Sequence, residues 1–444
     1  MPQLSGAAHS YHDTVRAEAY EVLGYLVGVA CHHENVPQKP PKLTVVPLPA
    51  GTTMVLKAAM NHLIDALNKD QSKTAVSFAC EAINTVIARV GCAALSVQLD
   101  PVDPTKNPAG PMLIEAVTEA LMRIFQEKAP CQKVTSEPLL SPRSWASPCL
   151  APIEPLCNPP CPQVTSESDE DEDDGDHDNV LMDSAADLVC TLAKTVGEQL
   201  VPFFDQLQKP LLKFMKPTRV FTDRSMVIGI YGEVLLELGP QALKYVEPLM
   251  PVIKTGLADQ MEAVRRNAAY CLGVLVRVAG KALSPHFMAI LQSLHPLCTR
   301  SADQMAADKG GADVDNALSA VAHMIRTDGV VMAPVVPQVL PVMLAALPLR
   351  SDQTEGPNVY GCVVELLLGG DATAHQHLPE VLRVFGDVLA PDSTAEDEAR
   401  ERITLCLRQL AGNPQTQGAL AAALERVASP AARAAVESAI IAKA

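Results

Sequence analysis

The stretch VRRNAAYCLGVLVRVAG, residues 264–280, sets the strongest limit on what this chain can fold into. Val264, Ala268, Cys271, Leu272, Leu275, Val276 and Ala279 recur at i, i+4, i+7, i+8 and i+11, the spacing of one buried face of an amphipathic helix. Asn267, Tyr270 and Val274 form a second stripe, expected off the buried face. Gly280 follows, free to take the positive φ that ends many helices. The same sentence is spelled again in TVRAEAYEVLGYLVGVA (14–30), DSAADLVCTLAKTVG, DRSMVIGIYGEVLLELG and VDNALSAVAHMIRTDG. A chain that repeats one amphipathic helix in this way is an array.

The closing glycines Gly197, Gly239, Gly280 and Gly329 are spaced 42, 41 and 49 residues apart. Partner segments lie between them at 200–216, 243–259, 287–301 and 335–347, each with one proline in a similar place: Pro210, Pro251, Pro296 and Pro341. Two helices per 40–47 residues is the HEAT/armadillo period, and proline in the first helix with glycine after the second favours HEAT. The predicted fold is all-α, a HEAT-repeat α-solenoid in which antiparallel helix pairs stack because no pair can bury its own apolar face. Upstream, a pair is predicted at 54–70 and 73–91, and a helix at 112–127 with Pro111 in its first turn. At the far end the Ala-rich segments 378–390, 398–410 and 419–441 are expected to form a cap. No apolar helix precedes 14–30, so the array is expected to begin in mid-repeat. The organisation expected is HEAT repeats over 1–128, a Pro/Ser-rich and acidic disordered insert over 129–180, and HEAT repeats with a cap over 181–444.

Charge narrows the partners. The 444 residues carry a net −16, and nine of the acids fall within 167–178: Glu167, Asp169, Glu170, Asp171, Glu172, Asp173, Asp174, Asp176 and Asp178. Without that tract the remainder carries −7. Like-charge repulsion and the lack of apolar residues predict disorder there. The sign argues against direct nucleic-acid binding and favours basic partners. Twelve cysteines lack any CxxC; Cys80, Cys190, Cys271 and Cys406 sit inside helical patterns and are expected to be reduced core thiols. Cys131, Cys149, Cys157 and Cys161 with His177 match no common zinc spacing. The uncharged run 330–349 holds Pro334, Pro337, Pro341 and Pro348, and reads as a buried, kinked helix rather than a membrane span. The N-terminal MPQLSGAAHSYHD has neither the basic nor the apolar region of a secretory signal. Motifs of nucleophilic, phosphate-binding, zinc-hydrolase and dinucleotide chemistry are missing, so neither an enzyme nor a cofactor is expected.

What remains is surface chemistry on the second helices. Asn267 and Tyr270 have counterparts in Asn316, Ser319 and His323, preceded by Asp315, and then in Asp352, Glu355 and Tyr360. Stacking would bring these stripes side by side on the inner surface. Carboxylates and amide oxygens accept hydrogen bonds from a lysine ammonium, and a tyrosine face covers its stem. The plain alternative is that Asn and Asp at a helix start cap it.

VRRNAAYCLGVL, VDNALSAVAHMI, PQVLPVMLAALPLRSDQTE and TDRSMVIGIYGEV, with the acidic insert before the last, are similar to the C-terminal half of importin-4-like members of the karyopherin-β (importin-β) family of nuclear import receptors. The likeness is densest over 181–385. It implies a receptor shuttling between cytoplasm and nucleus with histones H3 and H4 and ribosomal proteins as cargo. Tyr270, Asn316 and Glu355 match the family's lysine-recognising positions, with Asn267, Asp315 and Asp352 beside them. Nucleoporins and Ran are partners expected of the full-length family, and the Ran-binding N-terminal repeats are expected to be absent here. The sequence departs at Val314, where the family has Arg, and at Thr354, where it has a second acid; the latter weakens the expected grip on lysine. The rival reading is a HEAT scaffold with no transport role.

Overall fold

A computed structural model describes residues 6–37, 42–101, 109–127, 169–307 and 310–441, with the side chains of 127, 169–178, 302 and 307 left aside. The main helices are Asp13–His33 (α1), Ala50–Lys69 (α2), Lys73–Val90 (α3), Leu113–Glu127 (α4), Asp169–Val196 (α5), Val201–Leu211 (α6), Phe221–Leu238 (α7), Val246–Leu257 (α8) and Glu262–Ala279 (α9). They continue as Phe287–Cys298 (α10), Ala312–Thr327 (α11), Val336–Ala346 (α12), Gly356–Leu368 (α13), Leu378–Leu389 (α14), Asp397–Gly412 (α15), Gln417–Glu425 (α16) and Pro430–Ile441 (α17). Odd-numbered helices from α1 to α15 pack each on the next, and the even-numbered helices form a looser second layer. Closer approach within the odd layer places it on the inner side of a curved stack. The fold is an all-α HEAT solenoid.

Turn chemistry follows the sequence at three of the four marked glycines. Gly197, Gly239 and Gly280 have φ of 52°, 53° and 56°, a region open to glycine at little cost, and each bends the chain from an odd helix toward the next even one. Gly329 does not act this way. There α11 ends at Thr327, and the Asp328 side chain accepts from the Val331 N–H to open the short helix Gly329–Met332. An Asp cap does the work expected of glycine.

Several boundaries move for identifiable reasons. Pro111 lies outside α4, in an extended segment where its carbonyl accepts from the Leu99 N–H at 2.9 Å. The adjoining Gln98–Met112 bridge is the β pairing seen among the described residues. The segment 419–441 splits into α16 and α17, because Ser429 Oγ caps Ala432 N–H at 3.2 Å and Pro430 suits a first helical turn. Helix α5 starts at Asp169, so part of the acidic tract follows a helical path where disorder was expected. Its later residues, from Leu181 to Val196, are anchored in the core. Extension from a formed helix costs far less than nucleation, and acids are favoured at a helix N-terminus. Residues 128–168, with Cys131, Cys149, Cys157, Cys161 and Glu167, lie outside the described residues.

The membrane question resolves by packing. Within 330–349 the chain is helical at the end of the short helix Gly329–Met332 and again over Val336–Ala346, whose Val336, Leu340, Met343 and Leu344 are buried. Two continuous runs, Phe221–Leu257 and Glu262–Cys298, are long and apolar enough to cross a bilayer by length and composition. Each is two helices bent at a positive-φ glycine, and about half of its most apolar window is buried in the fold. Cys80, Cys271 and Cys406 are buried free thiols, and Cys190 is half-buried and free.

Arginine–aspartate staples join successive inner helices. Arg16 of α1 meets Asp70, just before α3, with Nε and Nη2 at 2.6 and 2.8 Å. Arg224 of α7 meets Asp259, just before α9, at 2.9 and 3.0 Å. Arg265 of α9 meets the fully buried Asp313 of α11 at 2.7 Å, where Arg300 also donates at 2.6 Å. Planar bidentate pairing, as at Asp70 and Asp259, fixes angle as well as distance.

Candidate functional site

Tyr270, Gly273, Val274 and Arg277 of α9, Asn316, Ser319, Ala320 and His323 of α11, and Glu355 just before α13 line one open recess in the inner layer. Helices α9 and α11 lie close here: a Cβ at Gly273 would be in ordinary contact with the Ala320 Cα, at 3.5 Å. The three positions singled out for lysine, Tyr270, Asn316 and Glu355, therefore come from successive repeats to a single place.

Their polar atoms are largely engaged across the seams between repeats. Tyr270 donates its hydroxyl to Glu233 of α7 at 3.0 Å. Asn316 is 2% exposed and donates to the Ala312 carbonyl and to Asp352, both at 2.9 Å. Ser319 donates to Glu355, and Asn358 of α13 donates to Ser319 Oγ at 2.8 Å. Asp315, also 2% exposed, accepts the main-chain N–H groups of Arg350, Ser351 and Asp352 at 3.0, 2.7 and 2.9 Å. Asp315 and Asn316, expected on the cargo-facing stripe, thus fasten the following repeat. Neither is a plain helix cap.

Other expected members fall elsewhere. Asn267 is outside the recess; its amide donates to Ser225 O and Oγ at 2.8 and 3.0 Å between α7 and α9. Asp352 is half-buried. Val274 is buried rather than off the packed face, because inner helices are covered on both flanks. Tyr360 is a core residue whose hydroxyl accepts from the Leu349 N–H at 3.0 Å.

Burial pushes the Glu355 carboxyl up, opposed by the Ser319 hydrogen bond; Asp352 adds to the rise and Arg277 opposes it. Asp315 is also pushed up by burial, against the three main-chain donors. His323 is pushed down to about 4 by burial, then by Arg277 and Arg326, so it stays neutral at ordinary pH. Sequence reasoning missed Glu233 and Arg277. Arg277 stands seven residues after Tyr270 and so shares its helix face, a signal that was available. Among the described residues no group of three or more His, Cys, Asp or Glu side chains is placed to hold a metal.

Helix pairs stacked in two layers, with a polar recess across the inner seams, define a HEAT-repeat solenoid; the HEAT repeat model itself matches residues 249–279, in α8 and α9. Importin-4 of Homo sapiens is 24% identical over 408 residues, covering 90% of this chain and 32% of that protein. Importin-4 of Mus musculus is 28% identical over 245 residues, covering 53% of this chain and 21% of that protein. The crystal structure of the karyopherin Kap121p bound to the SUMO protease Ulp1p shares the fold, with a TM-score of 0.59 at 12% identity, over 96% of this chain and 34% of Kap121p. The chain is thus similar to members of the importin-β family. It spans between about a fifth and a third of the length of these relatives.

Proposed function

We propose that this chain is the cargo-binding part of a nuclear import receptor working between cytoplasm and nucleus. Its cargo would be basic segments of the kind found in histones H3 and H4 and ribosomal proteins. The observation that carries the reading is the convergence of Tyr270, Asn316 and Glu355 on one recess. In this reading the Glu355 carboxylate meets a lysine ammonium and the half-buried Tyr270 ring covers its stem. Asn316 and Asp315 hold the repeat that presents Glu355. The nine acids of 167–178 raise the local concentration of a basic segment and steer its approach. Kap121p has been crystallised with RanGTP and with Nup53p. By that likeness nucleoporins are partners here, and Ran acts through parts of the receptor outside this chain.

The test is the affinity of this chain for a histone H3 tail peptide at two salt concentrations, beside a control with every lysine changed to arginine. Binding that distinguishes lysine from arginine and weakens in Glu355→Gln supports the recess. Binding that ignores the swap and vanishes with salt leaves only the acidic tract. One observation favours a scaffold without transport: the recess already satisfies most of its own polar atoms. That reading expects no peptide binding even at low salt.

A further inference from the structure

The feature the lysine reading does not use is Arg277. It is exposed, lines the same recess as Glu355, and makes no ion pair or hydrogen bond among the described residues. Other arginines of the inner layer are engaged: Arg224 with Asp259, Arg265 with Asp313, and Arg326 with Glu365 and Asn358. Arg277 lies near enough to hold Glu355 and His323 down electrostatically, yet no Arg277–Glu355 approach falls within the 4.0 Å of an ion pair. An uncommitted guanidinium and a half-buried carboxylate thus face one opening without neutralising each other by contact.

We infer that the recess reads a pair of opposite charges, a lysine at Glu355 and an adjacent carboxylate side chain at Arg277, rather than an isolated lysine. The inference rests on the cargo-binding reading above. A lone lysine entering the recess meets the repulsion of Arg277 as well as the attraction of Glu355. A neighbouring Asp or Glu on the same segment removes that repulsion and presents the planar acceptor that a guanidinium binds in two places. Among the described residues beside Arg277, His323 is neutral and the Arg326 guanidinium is committed to Glu365. The preferred partner is therefore a segment of mixed charge in which lysine is followed closely by an acid. Uniformly basic segments bind less well at this recess, whatever the acidic tract does for them elsewhere.

The experiment uses the whole chain and three fluorescent dodecapeptides, identical except for Gln, Glu or Arg after a central lysine. Dissociation constants are measured by anisotropy for the wild type, Arg277→Ala, Arg277→Glu and Glu355→Gln. The expected result is at least about fivefold tighter binding of the Lys-Glu peptide than of the Lys-Gln peptide, as suits one charge-assisted contact. Arg277→Ala erases that ratio, and Arg277→Glu moves the preference to Lys-Arg. A ratio that persists in Arg277→Ala overturns the inference, as does equal tightening of every peptide, which would make Arg277 only a repulsive charge. The cargo reading fails separately: in that case Glu355→Gln leaves the binding of all three peptides unchanged. Arg277 is exposed, so circular dichroism and melting curves of its variants should match the wild type and guard against misfolding.

Discussion

Asp313 offers the sharpest test of what holds the inner layer together. It has no exposed surface and accepts from Arg265 at 2.7 Å and from Arg300 at 2.6 Å, whose side chains are 9% and 15% exposed. Asp313→Ala takes from two near-buried guanidinium groups the carboxylate they share, and breaking such a pair costs about 3–5 kcal/mol. Arg265 keeps its bonds to the Asp259 and Gln260 carbonyls, which favours the lower end of that range. Stacked repeats open locally, so the loss belongs to the α9–α11 seam rather than to the whole chain. A loss of about 3 kcal/mol raises the local opening constant on the order of 100-fold. Hydrogen exchange of the amides in 262–327 reads it directly, with amides of α1 and α15 as internal references. Asp65→Ala, which removes an exposed pair with Lys69, is the control and should cost roughly 0–1 kcal/mol. Exchange in 262–327 that rises less than tenfold in Asp313→Ala, or no more than in the control, would refute the view that the staple holds the seam.

Gly386→Ala should lift the cap from α14, since its Cβ would fall 2.3 Å from the Ala432 carbonyl oxygen; overpacking costs about 1–3 kcal/mol, and limited proteolysis within 417–441 should quicken, unchanged cleavage counting against it. Gly232→Ala puts a Cβ 2.9 Å from the Tyr270 ring and should shift that ring off Glu233, weakening peptide binding; a preserved affinity would remove Tyr270 from the site. A carboxyl whose folded pKa lies above its unfolded value destabilises the fold while ionised. Glu355→Gln should therefore raise the melting temperature at neutral pH, and the gain should vanish as pH falls through the raised value; a gain that grows on acidification contradicts this. The thiols of Cys80, Cys271 and Cys298 are buried and pushed up to about 12, so alkylation should reach them only on unfolding, as mass spectrometry of the labelled peptides would report.

The array was legible in the sequence because its signals are local. Helical period, a glycine after the second helix and a proline within the first each fit inside one repeat, and they located α6 to α12 within a few residues. The staples were not legible. Arg16 and Asp70 are 54 residues apart, Arg224 and Asp259 are 35, and Arg265 and Asp313 are 48, so no fixed spacing announces them. The recess was half legible. Helix-face counting placed Tyr270, Asn316 and Glu355 together, but it could not tell an amide offered to a ligand from one spent on the next repeat. Asn316 and Asp315 are the second kind. Arg277 shares the face of Tyr270, but a donor does not belong to the pattern of acceptors that marks a lysine site.

Three bonds around the recess cross from one repeat to the next: Tyr270 to Glu233, Asn316 to Asp352, Ser319 to Glu355. They make the recess a strain gauge. Packed helices lie about 8–10 Å apart, so a change of about 5° in the angle between neighbouring pairs moves a facing group by about 0.8 Å. That displacement carries a hydrogen bond of 2.9 Å beyond its useful range. Any force that straightens or tightens the superhelix, applied at either end, is therefore felt at Glu355 as a change in how many partners it keeps.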